Sequence, residues 1–325
     1  MVLGGGGFIG GHLVKSLSTK GYWVRSVDIK THLYGANPDE FMQGDLTNQQ
    51  FAESVLNIPG NKVFDEIYQL AADMGGAGYI FTGENDANVM HNSAAINLNI
   101  LNSLVKMQYR LGKNNSKIFY SSSACIYPEE KQRNTLNPGL READAYPANP
   151  DSEYGWEKLF SERLYMAYSR NYGLSTRIAR FHNIFGPEGT WQGGKEKVPA
   201  AICRKVAEVG NHGSIEIWGD GNQTRSFLFV NECLEAVSKL MESDYQLPVN
   251  IGSEEMISIN ELVELVASFE GKKITVNHIP GPQGVRGRNS NNDLVSQVLG
   301  WNYELTLAEG LSKTYFWIKN QIEKL

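Results

Sequence analysis

The sequence of 325 residues contains little cysteine, no excess of basic residues and no long apolar run. Its three cysteines, Cys125, Cys203 and Cys233, are few, odd in number and far apart. This spacing argues against a disulfide scaffold or a cysteine-rich zinc site and suits a reducing compartment. A formal net charge of -6 argues against non-specific nucleic-acid binding, which requires a broad basic face. Local arginines and helix ends can still bind an anion.

Targeting signals are also absent from the sequence. No apolar run is long enough to span a bilayer, and no charged segment leads into a hydrophobic signal core at the N-terminus. We therefore expect a soluble cytoplasmic protein with no membrane partner, no nucleic-acid partner and no metal site. The composition, 41% hydrophobic and 20% charged, lies in the globular range and predicts a large buried core.

Strands and amphipathic helices alternate along the first part of the chain, which predicts a parallel sheet. The predicted strands are Met1–Leu3, Tyr22–Asp28, Phe41–Gly44, Glu66–Leu70, Lys117–Ser121 and Ser175–Phe181. The predicted helices are Phe8–Lys20, one that starts at about Thr47, Asn88–Leu111 and Glu153–Tyr172. After Gly186 the alternation weakens, and glycine and proline become frequent at 186–199 and 280–288, which is typical of loops in a smaller domain.

Three glycines follow the first predicted strand at the spacing G-x-x-G-x-x-G: Gly4, Gly7 and Gly10. The first permits a tight turn, the second lets the backbone approach a pyrophosphate, and the third lets the helix pack on the strand. The N-terminus of the following helix then presents free N–H groups to the phosphates. A glycine-rich run alone is often only a flexible turn, so its position between a strand and a helix carries the interpretation.

Acidic and small residues at the ends of later strands complete the pattern of a dinucleotide site. Asp28 closes the second strand eighteen positions after Gly10, where a carboxylate accepts from ribose hydroxyls and repels a 2′-phosphate. This favours NAD over NADP, although Lys30 lies nearby and leaves NADP as the alternative. Asp45 is expected to accept from the adenine amino group, and the small Ala71 lets the ribose and nicotinamide lie close to the backbone.

Together these elements predict an α/β fold, a Rossmann-like doubly wound parallel sheet with a smaller, partly discontinuous C-terminal substrate domain. We expect residues 1–182, with returning segments near 220–255, to form the NAD-binding domain, and residues 183–325 to form mainly the substrate domain. Only Met1, Val2 and Leu3 precede the glycines, fewer than in an average strand. Two explanations stay open: a true start upstream of Met1, or numbering that begins inside the chain.

Tyr154 and Lys158 form a Y-x-x-x-K pair on the helix that follows the Ser121–Ser123 segment. On a helix, residues four apart share a face. A lysine ammonium near a phenol lowers the tyrosine pKa from about 10 toward working pH, so the tyrosine can remove a hydroxyl proton as hydride leaves for NAD. The pair alone is common on solvated helix surfaces. Ser123 strengthens the interpretation, because its hydroxyl can bind the same substrate oxygen.

The combination of these motifs resembles the extended short-chain dehydrogenase/reductase superfamily over essentially the whole chain. More narrowly, the sequence is similar to the GDP-mannose 3,5-epimerase family. Long, irregular strings carry this resemblance and are far more specific than either short motif: AADMGGAGYI (71–80), SSACIYPE (122–129), RFHNIFGPEGTWQGGKEK (180–197), WGDGNQTRSF (218–227), NIGSEEM (250–256) and HIPGPQGVRGRNS (278–290).

The resemblance implies a redox-neutral epimerisation of GDP-mannose with NAD as the cofactor. C4 of the mannosyl ring is oxidised to a ketone, which acidifies the protons on C3 and C5. Protons are removed from one ring face and returned to the other, and the ketone is then reduced again. The implied product is GDP-L-galactose, with GDP-L-gulose as a second candidate. By resemblance, Cys125 and Lys197 are the acid/base pair, Tyr154 and Lys158 the redox pair, and Ser123 a substrate hydrogen bonder.

The acid/base pair also makes chemical sense without the resemblance. A thiol and an amine both titrate near neutrality when their surroundings shift their pKa values. A cysteine is more often a small buried hydrophobe, and a loop lysine is more often a solvated charge. The matching sequences that flank Cys125 and Lys197 therefore carry the functional interpretation. Cys203 and Cys233 lie in helical patterns and are expected to be core residues.

The diphosphate of a sugar nucleotide requires cations or aligned N–H donors. The diphosphate candidates in the matching segments are Asn183, Lys205, Arg225 and Arg288, with Arg286 as a weaker choice. Other residues are expected to contact the sugar or to belong to the same substrate site: Gly75, Gln223, Thr224, Glu196 and Lys197. The segment Thr82–Ser93 is longer than expected for the family and is expected near the rim of the sugar pocket.

Other functions on the same fold stay open as alternatives. These are an NDP-sugar C4-epimerase, a 4,6-dehydratase, an oxidoreductase and a non-catalytic NAD-binding regulator. A dehydratase prefers an Asp-Glu pair after the serine strand, where this chain has Ala124 and Cys125. The intact Tyr154, Lys158 and Lys197 argue against a regulator that has lost turnover. The superfamily also leads us to expect a homodimer formed through a helix bundle.

Overall fold

The computed structural model describes residues 1–112 and 116–325. In chain order, the strands are β1 (Val2–Leu3), β2 (Arg25–Asp28), β3 (Glu40–Gln43), β4 (Glu66–Gln69), β5 (Lys117–Ser123), β6 (Ser175–Phe181), β7 (Ile184–Phe185), β8 (Ser214–Trp218), β9 (Thr224–Ser226), β10 (Leu228–Phe229), β11 (Pro248–Ile251), β12 (Met256–Ser258), β13 (Thr275–Ile279) and β14 (Gly287–Arg288). The helices are α1 (Phe8–Thr19), α2 (Gln49–Ser54), α3 (Ala77–Ile80), α4 (Asp86–Leu111), α5 (Glu153–Tyr172), α6 (Val198–Glu208), α7 (Val230–Glu242), α8 (Ile259–Ser268), α9 (Asp293–Leu299) and α10 (Leu307–Ile322).

Seven strands form one parallel sheet in the order β11-β6-β5-β4-β1-β2-β3. The chain moves outward from β1 to β2 and β3, and then returns to β4 on the other side of β1. In open parallel sheets, ligands bind outside the carboxyl ends of the strands at such a reversal. The predicted α/β, Rossmann-like class is confirmed, and the reversal between β1 and β4 is where a ligand is expected.

Both faces of the sheet are buried beneath helices, as parallel sheets require. Neighbouring residues of a strand point to opposite faces, and β5 illustrates this. Phe119 belongs to a core that includes Leu13 of α1 and the apolar face of α7. Ile118 and Tyr120 belong to a second core that includes Ile100 of α4. Residues of one central strand therefore contribute to two hydrophobic cores, one on each face of the sheet.

The elements predicted from the sequence are confirmed within a few residues. The structure gives α5 and β6 the predicted bounds. The strand β2 begins three residues later than predicted, because Tyr22 and Trp23 lie outside it with about half of their surface exposed. The strand β5 continues two residues further, to Ser123. None of the helices in the described residues is long and apolar enough to cross a membrane.

Three small sheets follow β6 and pair segments that are far apart in the chain. One joins β7 to β10, and another joins β8 to β13. In the third, β9 pairs with β12 on one side and with β14 on the other. The parallel register of β9 and β14 sets Arg225 opposite Arg288. The pairing of β9 with β14 thus brings together two arginines that are far apart in the chain.

Candidate active site

The glycine-rich turn after β1 leaves no room for side chains. Gly4 has a φ of +84°, and a Cβ there would lie 2.7 Å from the backbone nitrogen of Ala71. A Cβ at Gly10 would collide with the carbonyl oxygen of Gly4. At Gly7, the residue before α1, no side chain caps the helix. The turn therefore offers backbone N–H groups and a helix N-terminus to an anion at the sheet reversal.

Asp28 at the end of β2 is fixed beside this turn. Its Oδ2 accepts a hydrogen bond from Gly6 N at 2.9 Å, and its Oδ1 accepts one from Lys30 N at 2.9 Å. Each oxygen keeps a further lone pair for a ribose hydroxyl. Asp45, at the end of the neighbouring strand, accepts from Thr47 N at 2.8 Å. The turn and its two carboxylates fit the adenosine and pyrophosphate parts of a dinucleotide.

The end of β5 and the first turns of α5 bring the predicted redox residues together. The Lys158 Nζ donates to the carbonyl of Ser121 at 2.9 Å and lies 5.7 Å from the centroid of the Tyr154 ring. Ser123 Oγ accepts from Cys125 N at 3.1 Å, which orders the turn that follows the strand. Gly155 permits the close approach, because a Cβ there would collide with the Cys125 carbonyl.

Burial dominates the protonation of this pair. It raises the pKa of Tyr154 above its ordinary value; the nearby Cys125 raises it further, while a hydrogen bond with Ser123 lowers it. Burial lowers the pKa of Lys158, against the opposing effect of Glu157. The sequence predicted that Lys158 lowers the tyrosine pKa. The structure differs, because burial outweighs that effect and the ammonium is directed to the Ser121 carbonyl.

The Cys125 thiol lies against a buried arginine. Arg288 Nη1 is 3.0 Å from Cys125 Sγ, Nη2 donates to Asp151 Oδ2 at 2.8 Å, and Nε donates to Gln132 Oε1 at 2.6 Å. The sequence had placed Arg288 among the diphosphate candidates and did not single out Asp151 or Gln132. No local signal identifies these partners, since 137 and 156 positions separate them from Arg288.

Lys197 directly precedes α6, at the end of a loop that contacts the segment after β4. Gly76 N donates to the carbonyl of Lys195 at 3.1 Å, and the Lys195 ammonium lies 3.8 Å from the centroid of the Tyr79 ring. A Cβ at Gly76 would collide with the Glu196 carbonyl. The glycines of the segment 75–78 therefore permit the contact that positions the Lys197 loop.

The Lys197 side chain combines exposure to water with a lowered pKa. Its surface is accessible to water, yet desolvation by nearby protein lowers its pKa, and the Cys125 thiol opposes this shift. A side chain on a cleft wall has both properties, because it touches water but has fewer water neighbours than on an open surface. The partial positive charge at the N-terminus of α6 also disfavours the ammonium form. Cys125 and Lys197 thus interact electrostatically, as a cooperating pair requires.

Arg225 lies close to this group and faces Arg288 across the β9–β14 pair. Its Nη1 donates to the Thr224 carbonyl at 2.8 Å and its Nη2 to the Gln283 carbonyl at 3.2 Å. Burial and the charge of Arg288 lower its pKa. Both hydrogen-bond acceptors are neutral carbonyls, so this guanidinium is suited to an anionic ligand.

The remaining substrate candidates have protein partners or lie at the edges of this group. Those with polar contacts are Asn183 (to Ser226 O, 2.8 Å), Glu196 (to Arg204, 3.4 Å), Lys205 (to Glu216 O, 2.5 Å), Gln223 (to Trp218 O, 3.2 Å), Thr224 (to Thr135 O, 2.6 Å) and Arg286 (to Asp220, 2.9 and 3.0 Å). Gln223 Oε1 is buried without a hydrogen-bond partner. Gly75 directly precedes Gly76, whose N–H contacts the Lys197 loop. In the described part of the chain, no group of three or more His, Cys, Asp or Glu residues is arranged to hold a metal ion.

A cavity of about 440 Å³ lies between the residues that follow α3 and the start of α5. Thr82, Gly83 and Asp86 line one side, and Asp151 and Trp156 line the other. Part of the segment 82–93 thus forms one wall of a cavity that Asp151, the ion-pair partner of Arg288, also lines.

Comparisons with known proteins agree with this geometry. The model of the NAD dependent epimerase/dehydratase family matches residues 1–252. The chain therefore belongs to the NAD dependent epimerase/dehydratase family. Over 99% of its length it is 47% identical to the GDP-mannose 3,5-epimerase of Arabidopsis thaliana, covering 82% of that protein. It is 46% identical, with the same coverage of both chains, to GDP-mannose 3,5-epimerase 1 of Oryza sativa subsp. japonica.

Solved structures share the fold. The UDP-glucose 4-epimerase of Thermotoga maritima superposes with a TM-score of 0.83, over 99% of this chain and 98% of that one, at 24% identity. At this identity the likeness concerns the fold alone.

Cys203 and Cys233, expected to be core residues, are both fully buried in the structure.

Proposed function

We propose that this protein is a GDP-mannose 3,5-epimerase that acts through a transient C4 ketone with NAD as its cofactor. The observation that carries the proposal is the meeting of two pairs in one site. Tyr154 and Lys158 provide the redox chemistry of the family, while Cys125 and Lys197 add a thiol and an amine in electrostatic contact. The curated relatives with 45–47% identity over nearly the whole chain support the same reaction.

We assign the cofactor to the turn at the sheet reversal and to the ends of β2, β3 and β4. The binding residues in this assignment are Gly4, Gly7, Gly10, Asp28, Asp45, Ala71, Tyr154 and Lys158. When bound, NAD supplies a hydride acceptor and a positive charge beside the substrate. Residues 1–182, with returning segments near 220–255, form the cofactor domain in this proposal, and residues 183–325 mainly bind the sugar nucleotide.

Tyr154 is the base for the C4 hydroxyl. It takes the hydroxyl proton during oxidation and returns it during the final reduction, so its proton count is unchanged over a turnover. Because burial raises the Tyr154 pKa, the phenolate requires nearby positive charge, which Lys158 provides. Ser123 binds the same substrate oxygen and, through its hydrogen bond to Cys125 N, joins the redox centre to the epimerising pair.

Cys125 and Lys197 perform the inversion at the carbons beside the ketone. At each inversion one member takes a proton from the sugar and the other gives a proton to the opposite face. The pair must then exchange protons with water before it can act again in the same direction. The water-accessible surface of Lys197 provides that route. This requirement predicts that solvent hydrogen appears at both inverted carbons.

The diphosphate is assigned to the cations near β9 and β14. Arg225, whose charge has no counter-ion in its own hydrogen bonds, is the strongest candidate. The other substrate-binding residues in the proposal are Gly75, Ser123, Asn183, Glu196, Lys197, Lys205, Gln223, Thr224, Arg286 and Arg288. The bidentate pair of Arg286 with Asp220 gives it the weakest support as a phosphate ligand.

Incubation with GDP-mannose in deuterated water, followed by NMR, tests the proposal. We expect deuterium at C3 and C5, and new signals from GDP-L-galactose and from the C5 epimer GDP-L-gulose. Deuterium at neither carbon, with reversible formation of NADH, would instead indicate an oxidoreductase or a C4-epimerase.

Alanine variants of the acid/base pair separate epimerisation from oxidation. Cys125→Ala and Lys197→Ala are each expected to form NADH transiently, seen by its absorbance, because the redox pair is intact. Deuterium exchange should fall about a hundred- to ten-thousandfold, the usual cost of losing a positioned acid or base. Tyr154→Phe is the matched control and should lose NADH formation itself. Exchange at the wild-type rate in both alanine variants would contradict the assigned pair.

We further propose that the enzyme is a cytoplasmic homodimer. The helices α4 and α5 pack side by side and carry exposed apolar side chains: Met90 on α4, and Trp156 and Phe160 on α5. Trp156 and Phe160 are four residues apart and therefore share a helix face, which supports burial against a second copy. The free thiols of all three cysteines suit the reducing cytoplasm.

A further inference from the structure

Arg288 is held by three side chains, one of which is the Cys125 thiol. The arginine is 5% exposed, and the side chain of its partner Asp151 is 6% exposed, so this ion pair is shielded from water. Asp151 and Gln132 accept from two of the guanidinium nitrogens and fix the plane of the group. The third nitrogen, Nη1, is then directed at Cys125 Sγ at 3.0 Å.

The charges around Cys125 are predominantly positive. Arg288 from β14, Arg225 from β9, Lys158 from α5 and Lys197 before α6 all interact electrostatically with the thiol. Tyr154 on α5 is the fifth titratable group that faces the thiol. Of the four cations, Arg288 is the one with a hydrogen bond to the sulfur.

We propose that Arg288, oriented by Asp151 and Gln132, is a positioning residue that holds Cys125 as a thiolate, the form able to remove a proton from the sugar. A hydrogen-bonded cation stabilises a thiolate, and a guanidinium stays charged at every working pH. The Lys197 ammonium then provides the opposing acid. The catalytic consequence rests on the proposed function, whereas the ionisation of Cys125 does not.

The competing interpretation is that Arg288 binds only the diphosphate of the substrate. Its three contacts argue that it is already engaged without a phosphate, and two of them are to neutral or weakly acidic side chains, Gln132 and Cys125. The two interpretations differ in the free enzyme, because only the thiolate role acts before substrate binds.

The rate of alkylation by iodoacetamide measures the ionisation of Cys125, because the thiolate is the reactive form. Cys203 and Cys233 are fully buried, so modification of the folded protein reports on Cys125, and peptide mass spectrometry verifies the site. The rate is measured against pH for the wild type and for Arg288→Gln, Arg288→Lys and Arg286→Gln. Arg286 is the matched control, because it is two residues away and pairs with Asp220 instead of the thiol.

The wild-type midpoint of the pH–rate profile is the reference for the variants. Arg288→Gln should raise it by about one to two units, as expected when a neighbouring charge is lost. Arg288→Lys should restore part of the shift, and Arg286→Gln should leave the midpoint unchanged. The pH midpoint of C5 deuterium exchange should move together with the alkylation midpoint in each variant.

An unchanged alkylation midpoint in folded Arg288→Gln, verified by circular dichroism, would overturn the proposal. If that variant instead only weakens the binding of GDP-mannose, Arg288 is a diphosphate ligand alone. If the Gln variant does not fold, Arg288→Met removes the same charge, and an unchanged alkylation midpoint in that variant would also contradict the thiolate role. A shifted midpoint in a protein that does not exchange GDP-mannose protons would refute the proposed function and leave this inference intact.

Discussion

At the scale of single residues, Asp28 is the carboxylate to which we assign the choice between NAD and NADP. The backbone N–H groups of Gly6 and Lys30 hold it in place at the end of β2. A fixed negative charge at this position accepts from ribose hydroxyls and repels a 2′-phosphate. We therefore expect the discrimination to depend on this fixed charge.

Asp28→Asn should narrow the preference for NAD over NADP by at least about tenfold, which corresponds to about 1.4 kcal/mol. The amide keeps one acceptor but loses the charge that repels the phosphate. Calorimetric titration of both cofactors measures the ratio. Asp45→Asn, at the end of the neighbouring strand, is the control and should change both affinities alike. Equal discrimination in wild type and Asp28→Asn would refute the role of Asp28.

At the scale of elements, the position of the loop before α6 depends on its contacts with the segment after β4. The hydrogen bond from Gly76 N to the Lys195 carbonyl and the contact of Lys195 with the Tyr79 ring join the two. A cation above an aromatic face contributes about 0.5–1 kcal/mol at an exposed site. We expect these contacts to position Lys197, although Lys197 itself makes neither of them.

Gly76→Ala should displace this loop, because the added methyl group collides with the backbone carbonyl of Glu196. We expect proton exchange at C5 to fall at least about tenfold, since a displacement of about 1 Å is costly in catalysis, while transient NADH formation is retained. Gly189→Ala in the same loop is the control, because its methyl group would have ordinary contacts at 3.5 Å. Equal losses of C5 proton exchange in both variants would contradict the proposed role of Gly76 in positioning the loop.

At the scale of the whole molecule, a buried polar network joins the strands behind the site. Glu162 of α5 pairs with Arg180 of β6 through two hydrogen bonds of 2.9 Å and accepts from Ser122 of β5. His182 shares Asn250 Oδ1 with the hydroxyl of Tyr127. Removing one partner of such a network leaves a buried polar group unsatisfied, so the network favours a single arrangement of β5, β6 and β11.

His182 should make the protein less stable in acid. Burial lowers its pKa to about 3 in the folded protein, against about 6.5 when unfolded. Between these values the unfolded chain binds the proton and the folded chain does not. The free energy of unfolding therefore decreases as the pH is lowered, by up to about 1.4 kcal/mol per pH unit. Urea unfolding at several pH values should show a shallower dependence for His182→Gln. The exposed His212, changed to Gln, should keep the wild-type slope.

Sequence alone determined the features that depend on local spacing. Gly4 and its following glycines, Asp28 at a strand end, and Tyr154 with Lys158 on one helix face are each fixed by the period of a strand or a helix. The order of strands and helices also predicted the parallel sheet, because a helix between two strands returns the chain to the same end of the sheet. The long irregular strings identified Cys125 by resemblance, which spacing alone does not do.

Only the tertiary structure decided which distant residues meet. Arg288 reaches Cys125 because β14 pairs with β9, and Asp151 joins them across 137 positions. The Lys197 loop lies on Gly76 because a glycine leaves space for its carbonyl. The fall in the Lys158 pKa likewise follows from how deeply the packed fold buries the side chain. Such contacts result from the stacking of whole elements, and no local period in the sequence encodes them.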